Sequence, residues 1–499
     1  MSNVHRFITN AAWNIGGKLF IQLIYFVVSI LIFRYLGRQG LGIYASLLVV
    51  PAIVRLFNAL GLESVLNKKL PELNIEDPSG RQGRFFVRGI LGFRLISSLV
   101  CAAGMYWALP VYSQWVHVPV LLDYRLELVL YFFAVTVNSI LGVLFMALVR
   151  FRTVTFAEGI NAGLNLLLLL AAVAMDWGIR GVLWAYIAAT GIQLAIYLHL
   201  ARPHLRGAAQ STDLREAWRL AGVAYAINLF SLGLWTQSDV VLMNYFQVPA
   251  AGVGSYHLAT SLGAMVLFLL AGLGQLAQSF YSEAYAREGA PGLSRTWRMT
   301  LGLNVWVTLP LGIIGFVFAP PLITWVFGAE YAPVAPLFRV YVVFLVIAAA
   351  LGSDLNIFAL FVLHRRRAAF WISFEGSVWN LILDVIWIPR YGELGAVMAT
   401  GSVMVYLVLR QIVSLKDVLR PGQAAPLVGG ALGVSLAALV PGMILQAMGV
   451  EAVWIQAGLY PAAFWALLIL VKPLPVEAQT WAQGISPVWG RWTRRWVRS

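Results

Sequence analysis

The chain has 499 residues, of which 60% are hydrophobic and only 11% are charged, and its formal net charge at pH 7 is +14. Soluble domains carry about one quarter charged residues, so this composition excludes an ordinary soluble protein and indicates an all-α polytopic membrane protein. A single cysteine, Cys101, excludes an internal disulfide, and the six histidines lack the spacing of metal ligands.

Runs of mostly apolar residues near the length that spans a bilayer predict about fourteen transmembrane helices. We expect the second and the eighth to be bent, because both contain internal Gly or Pro, and the first to be retained rather than cleaved as a signal peptide. The predicted limits are 10–33, 42–66, 86–110, 126–149, 156–176, 181–201, 218–243, 253–283, 298–319, 334–363, 369–388, 393–415, 425–448 and 452–471.

The lysines and arginines predict the orientation of these helices. With a cytoplasmic N-terminus, the cytoplasmic loops and tails hold 26 of the 35 and the outer loops hold six, which is the bias of the positive-inside rule. Both termini are therefore predicted to be cytoplasmic. This topology accounts for most of the net charge, so we expect no nucleic-acid partner. The outer loops are too short for a soluble catalytic unit, so we expect no enzyme.

An internal repeat predicts two six-helix lobes in parallel orientation, an architecture of transporters. The turn that begins at Arg34 resembles the turn that begins at Asn244. The positions that match at an offset of 214 residues are Arg152 with Arg366, Phe156 with Phe370, and Gly178 with Gly392. The predicted domains are an N-lobe (1–201), a cytoplasmic linker (202–217), a C-lobe (218–420), two added helices (421–472) and a basic, Trp-rich tail (473–499) expected on anionic headgroups.

Basic residues within the N-lobe helices predict contact with an anionic substrate, because ionisable groups inside a membrane are costly and usually functional. They are Lys18, Arg55 and Arg94. Arg55 lies near the middle of its apolar run, and arginine pairs well with phosphate oxygens. The alternatives are a salt bridge from Arg55 to Glu63 or Glu158, and a structural role for Arg94 near the end of its helix.

Polar residues in the C-lobe helices predict a cation site. Asn380 and Asp384 are one turn apart on one helical face, and the turn after them brings Thr400 to a similar depth. Together with Asp239, these groups offer several oxygens, which suits Na⁺; a shared proton is the other possibility. The alternative is a hydrogen-bond network between helices.

Asn380-x-x-x-Asp384, followed by Ile-Pro-x-Tyr-Gly-x-x-Gly-Ala396, resembles a signature of Wzx-type polysaccharide and O-antigen flippases. These belong to the multidrug/oligosaccharidyl-lipid/polysaccharide (MOP) exporter superfamily, with lipid II flippases and MATE transporters. The resemblance implies a MATE-like fold, alternating access, and a Na⁺ site at Asp239, Asn380, Asp384, Ala396 (through its carbonyl) and Thr400. It also implies that Lys18 and Arg55 face a pyrophosphate, and that the last two helices form a groove for a prenyl tail.

The function implied by this resemblance is transfer of an undecaprenyl-pyrophosphate-linked oligosaccharide across the bacterial cytoplasmic (inner) membrane for surface polysaccharide synthesis. The expected partners are this glycolipid, membrane lipids and polysaccharide polymerase or export machinery, and the expected state is a monomer. No cofactor is expected beyond a coupling Na⁺ or H⁺. A cation-coupled multidrug antiporter and a lipid II flippase are the alternatives on the same fold, and a membrane glycosyltransferase or polymerase is a third class.

Overall fold

The computed structural model describes residues 3–211, 215–229, 234–419, 422, 425–448 and 452–471, so the predicted tail at 473–499 lies outside the described residues. This part of the chain is helical and contains no strand. The helices are α1 (Asn3–Asn58), α2 (Leu62–Glu76), α3 (Arg81–Trp115), α4 (Arg125–Ala147), α5 (Phe151–Ala174), α6 (Gly178–Leu205), α7 (Arg215–Asn228), α8 (Leu234–Tyr245), α9 (Ala250–Val317), α10 (Ala319–Phe327), α11 (Val334–Ala350), α12 (Ser353–Val362), α13 (Arg366–Tyr391), α14 (Glu393–Leu415), α15 (Ala425–Ala437), α16 (Val440–Ala447) and α17 (Val453–Val471).

Ten helices in the described residues are long and apolar enough to cross a membrane, and every predicted segment is helical over most of its described part. The all-α polytopic prediction is confirmed. The two counts differ because α1 and α9 each hold two predicted segments, which meet at kinks at Gly37 and Gly289, and because α7, α8 and the last helix are each too short to count as a span. A glycine with positive φ lets the chain turn sharply at each kink.

The bend predicted within 42–66 is confirmed. Helix α1 ends at Asn58, and Leu60 and Gly61 take φ values of 50° and 68° before α2 begins. A Cβ on Gly61 would lie 2.1 Å from the carbonyl oxygen of Ala221. Within 253–283 the helix has no break, because α9 stays helical up to Gly289, and the bend there stays a prediction; glycines inside membrane helices are tolerated.

The chain divides into two compact units, Met1–Gly254 and Ser255–Ser499. In the first, α4, α5 and α6 pack on one another and on α1, while α7 and α8 pack on α2 and α1. The chain after α6 is held by α3: Arg84 donates to the carbonyl of Ala208, and Arg88 to those of Leu205 and Gly207, at 2.7–2.9 Å. The lobe limits at 201 and 218 remain a prediction.

In the second unit, α13 and α14 pack closely on each other, and α11 and α12 pack on α14. Small residues permit these close contacts, as is usual in membranes. A Cβ at Gly376 would lie 2.5 Å from Leu407, and one at Gly401 would lie 2.3 Å from Phe344. These contacts fix α14 between α13 and α11.

The matched turns of the repeat have matching backbones. Gly178 and Gly392, which open α6 and α14, have φ values of 61° and 57°. Gly37 and Gln247, which occupy the same place in the turns that begin at Arg34 and Asn244, have φ values of 64° and 58°. A residue with positive φ thus occurs at the same position in both copies of the repeat.

Candidate functional site

The acidic cluster of the second unit lies on α13. Asn380 and Asp384 have no exposed surface, and Asn380 Nδ2 donates to Asp384 Oδ2 at 2.7 Å. Their one-turn spacing places both on the buried face, as predicted from the sequence. A carboxylate in such a position is costly unless charge or hydrogen bonds compensate it.

Helix α14 places Ala396 and Thr400 in the buried part of the same unit. The Thr400 hydroxyl lies 3.5 Å from the phenol oxygen of Tyr256. Because α14 is regular from Glu393, the carbonyl of Ala396 is not freed by a helix break; only its second lone pair remains for a ligand.

Asp239 belongs to the first unit, where α8 holds it fully buried. In the described residues, no three His, Cys, Asp or Glu side chains come together as a multivalent metal site requires. The buried carboxylate, amide and hydroxyl of the second unit are hard oxygen donors of low total charge, which fits a monovalent cation or a proton better than a transition metal. A single site formed by all five predicted residues stays a prediction.

Arg55 is exposed in the first unit and lies in the last turn of α1. The break after Asn58 therefore puts it at a helix end rather than in the middle of an apolar run. No described residue forms an ion pair with Arg55. Its charge lies within electrostatic reach of the phenols of Tyr131 and Tyr186.

Arg94 has a different environment, since it is 1% exposed. Its guanidinium forms an ion pair with Glu63 and donates to the carbonyls of Asn58 and Ala59. Glu63, one of the two partners considered for Arg55, is thus engaged by Arg94. Contact of Arg94 with a substrate stays a prediction, and its geometry favours a structural role at the α1–α2 break.

Lys18 is exposed on α1 and lies within electrostatic reach of Glu158 on α5. It shares a unit with Arg55, as predicted. Its contact with a substrate stays a prediction.

The first unit contains a polar network that was not predicted from the sequence. Tyr25 donates to Asn161 at 2.8 Å, and Asn138 donates to the carbonyl of Thr190 at 2.7 Å. Four helices, α1, α4, α5 and α6, contribute to it. The available signal was the presence of asparagines inside apolar runs, which is unusual in membrane helices.

Comparison with protein families identifies the family of the chain. Residues 31–336, more than half of the chain, match the family described as polysaccharide biosynthesis protein. The chain belongs to this family. A comparison with curated proteins finds no match.

Solved structures show that this polysaccharide biosynthesis protein has the fold of the MOP superfamily. An inward-facing MATE multidrug resistance transporter superposes with a TM-score of 0.68 at 14% identity, over 81% of this chain and 95% of the other. The lipid II flippase MurJ in an inward closed conformation gives 0.67 at 13%, over 90% and 97%. A MOP transporter from Pyrococcus furiosus gives 0.58 at 13%, over 84% and 96%.

The family match and the structural matches confirm the predicted family and the predicted MATE-like architecture. It is a multi-pass membrane protein that places an exposed arginine in one unit and a buried Asn380–Asp384 pair in the other. Of the predicted cation-site residues, Asn380, Asp384, Ala396 and Thr400 thus lie in the second unit, whereas Asp239 shares the first unit with the basic residues.

Proposed function

We propose that this protein is a flippase that moves an undecaprenyl-pyrophosphate-linked oligosaccharide from the cytoplasmic to the outer leaflet by alternating access. Membership of the polysaccharide biosynthesis family supports a glycan cargo, and the similarity to MOP structures supports a transporter architecture. The protein would act in the bacterial inner membrane, with both termini cytoplasmic, and would supply surface polysaccharide synthesis.

The observation that carries this proposal is the exposed guanidinium of Arg55, which has no ion-pair partner among the described residues and whose charge lies within electrostatic reach of Tyr131 and Tyr186. A guanidinium with no described carboxylate partner is a binding group for phosphate oxygens, since it offers a fork of donors. Phenols add hydrogen-bond donors. Lys18 adds a second positive charge to the same unit. A pyrophosphate would be held here, while its lipid tail remains in the bilayer.

A coupling cation fits the buried residues of the second unit. Asp384 and Asn380 would hold Na⁺ or a proton, with Thr400 and the Ala396 carbonyl as further oxygens, and the participation of Asp239 stays a prediction. When bound, the cation supplies charge that compensates the carboxylates. The residues themselves provide a dry oxygen site that is costly when it is not compensated.

Flipping in proteoliposomes tests the proposal. A fluorescent undecaprenyl-pyrophosphate oligosaccharide is followed in wild type, Arg55→Ala and Arg390→Ala. Arg390 is a matched control because it is also an exposed arginine in the last turn of its helix. We expect transfer by wild type and Arg390→Ala, and loss of at least about tenfold in Arg55→Ala, because a hydrogen bond to a charged group contributes about 1.5–3 kcal/mol.

Two outcomes would contradict the proposal. Equal transfer by wild type and Arg55→Ala would remove Arg55 from the substrate site. No transfer of any pyrophosphate-linked glycan, together with gradient-driven efflux of a cationic dye, would place the protein among multidrug antiporters of this fold.

A further inference from the structure

A pocket of about 440 Å³ opens at one end of the first unit, away from the residues considered so far. It is formed by the second half of α1, by the segment that follows α3, and by the turn between α8 and α9. Ser46 precedes Arg55 by nine residues in α1, which is about 13 Å along a helix. The pocket thus lies on the side of the Gly37 kink, away from the Asn58 break, and this is the predicted outer side of the membrane.

The floor of this end pocket is polar and buried. Ser46 and Asn244 are 4% and 7% exposed, and the Ser46 hydroxyl donates to Asn244 Oδ1 at 3.0 Å. The other amide atom, Nδ2, is buried without a hydrogen-bond partner in the described structure. If the side-chain amide of Asn244 is flipped by 180°, Oδ1 instead of Nδ2 becomes the buried atom without a hydrogen-bond partner. Buried amides rarely go unsatisfied, so this side chain presents a hydrogen-bonding atom to an occupant.

The rim of the end pocket carries exposed side chains with polar and aromatic character. His117 and Gln247 line it, and both hold φ near 58°. Beside them, the rings of Trp115 and Tyr245 are 5.3 Å apart, and Tyr245 is 6.3 Å from His117. Trp115 is 51% exposed, so one aromatic surface is available next to the opening.

None of the described residues that line the pocket is Asp, Glu, Lys or Arg. A charged ligand such as phosphate would find no counter-ion there, whereas neutral hydroxyl groups could both donate to and accept from an amide. The volume lies within the range of small-molecule sites, about 300–1,000 Å³. Ile43 and Val248 add apolar walls suited to the C–H faces of a ring.

We infer that the end pocket binds one neutral sugar residue of the transported glycan. This inference rests on the proposed function and extends it, because it separates recognition of the sugar from recognition of the pyrophosphate near Arg55. With the predicted orientation, the sugar is held on the side where the glycan is released. Asn244 bonds a sugar hydroxyl, and the aromatic rim packs on a sugar face.

Binding of free sugars to the purified full-length protein in detergent tests this assignment without any transport step. The probes are neutral disaccharides that contain glucose, galactose, mannose or N-acetylglucosamine, detected by saturation-transfer NMR and by the fluorescence of the tryptophans. We expect at least one disaccharide to bind, and Asn244→Ala to weaken it by about tenfold, since one hydrogen bond is lost and its partner stays unsatisfied. Gln114→Ala, an exposed glutamine outside the pocket, serves as the control and binds like wild type.

Failure of every disaccharide to bind wild type would overturn the inference, and so would equal binding by Asn244→Ala. If Asn244→Ala lowers the melting temperature, Gln247→Gly replaces it, because glycine keeps the left-handed backbone while the rim side chain is removed; unchanged binding there overturns the inference as well. Flipping of the glycolipid by wild type is measured separately. If the protein binds a sugar but does not flip the glycolipid, the proposed function is rejected and the pocket remains a sugar site. If it flips the glycolipid but binds no sugar, the proposed function stands and the sugar site is rejected.

Discussion

Arg94 shows how a single buried charge holds the break between α1 and α2. Its ion pair with Glu63 and its bonds to two backbone carbonyls compensate a guanidinium that is almost fully buried. We expect Glu63→Ala to lower the free energy of unfolding by about 2–4 kcal/mol, somewhat less than for a fully buried pair because Glu63 is partly exposed. Loss of helical circular dichroism on heating in detergent measures this.

Glu288→Ala is the matched control, because the Arg295–Glu288 pair is exposed on both sides and such pairs contribute below about 1 kcal/mol. The double variant Glu63→Ala with Arg94→Met should regain most of the loss, since no unpaired charge remains. Equal melting of Glu63→Ala and Glu288→Ala would show that Arg94 does not need its partner.

The Asp417 carboxylate belongs to a clamp outside the membrane-spanning helices. Arg365 donates to it from the turn before α13, at 2.8 Å to Oδ1, and this lowers the pKa of Asp417 from 3.8 to about 2. A folded pKa below the unfolded one stabilises the protein at pH values above about 4, and that stabilisation is lost as the pH falls through about 2.

Carboxyl-selective ¹³C NMR should therefore show Asp417 titrating near pH 2 in wild type and closer to 3.8 in Arg365→Ala. Asp77 provides an internal reference, because hydrogen bonds from Ser79 and Gln82, and not Arg365, lower its pKa. If Asp417 has the same pKa in wild type and in Arg365→Ala, its ion pair with Arg365 is not the cause of the low pKa.

At this scale the sequence predicts some contacts and not others. The pairing of Asn380 with Asp384 follows from a four-residue spacing within one helix, which is local information. The pairing of Arg94 with Glu63 joins α3 to α2 through a turn whose position depends on Gly61. Hydropathy does not report such a turn, so the sequence analysis placed Arg55 in the middle of a continuous apolar run and did not pair Arg94 with Glu63.

Gly61 controls how two helices of the first unit meet. Its φ of 68° is left-handed, and a Cβ would lie 2.1 Å from the carbonyl oxygen of Ala221 on α7. We expect Gly61→Ala to destabilise the protein by about 1–3 kcal/mol through backbone strain alone, with a further loss from displacement of α7. Thermal unfolding of the purified variant measures the sum.

Gly163→Ala is the control for this substitution, since a Cβ there meets nothing within 4 Å inside α5. A glycine inside a helix is destabilising by about 0.5–1 kcal/mol relative to alanine, so this variant should melt at the same or a higher temperature. A Gly61→Ala variant that melts like Gly163→Ala would mean that the α1–α2 turn relaxes without strain.

Most helices could be predicted, because a long apolar run is a strong signal. The breaks between consecutive helices could not be predicted in this way. The break between α11 and α12 at Leu351 and Gly352 is stabilised by two asparagines: Asn304 of α9 donates to the carbonyl of Ala349 at 2.8 Å, and Asn356 of α12 donates to that of Leu351 at 3.0 Å. Asn304 is 45 residues away in the sequence, so its bond leaves no local pattern and 334–363 looked continuous.

For the whole molecule, the repeated turns and the division into two units agree with the MOP fold, and the proposed coupling to a cation can be tested directly. Asp384 is the buried acid of the second unit, and Asp384→Asn keeps its shape while removing the charge that a cation would need. We expect the response of flipping to an imposed Na⁺ or H⁺ gradient to fall by at least about tenfold, while exchange without a gradient persists.

Asp354→Asn is the control, because Asp354 is an exposed acid on α12. A full gradient response in Asp384→Asn would locate coupling elsewhere, and a gradient response absent already in wild type would make the exporter a passive one.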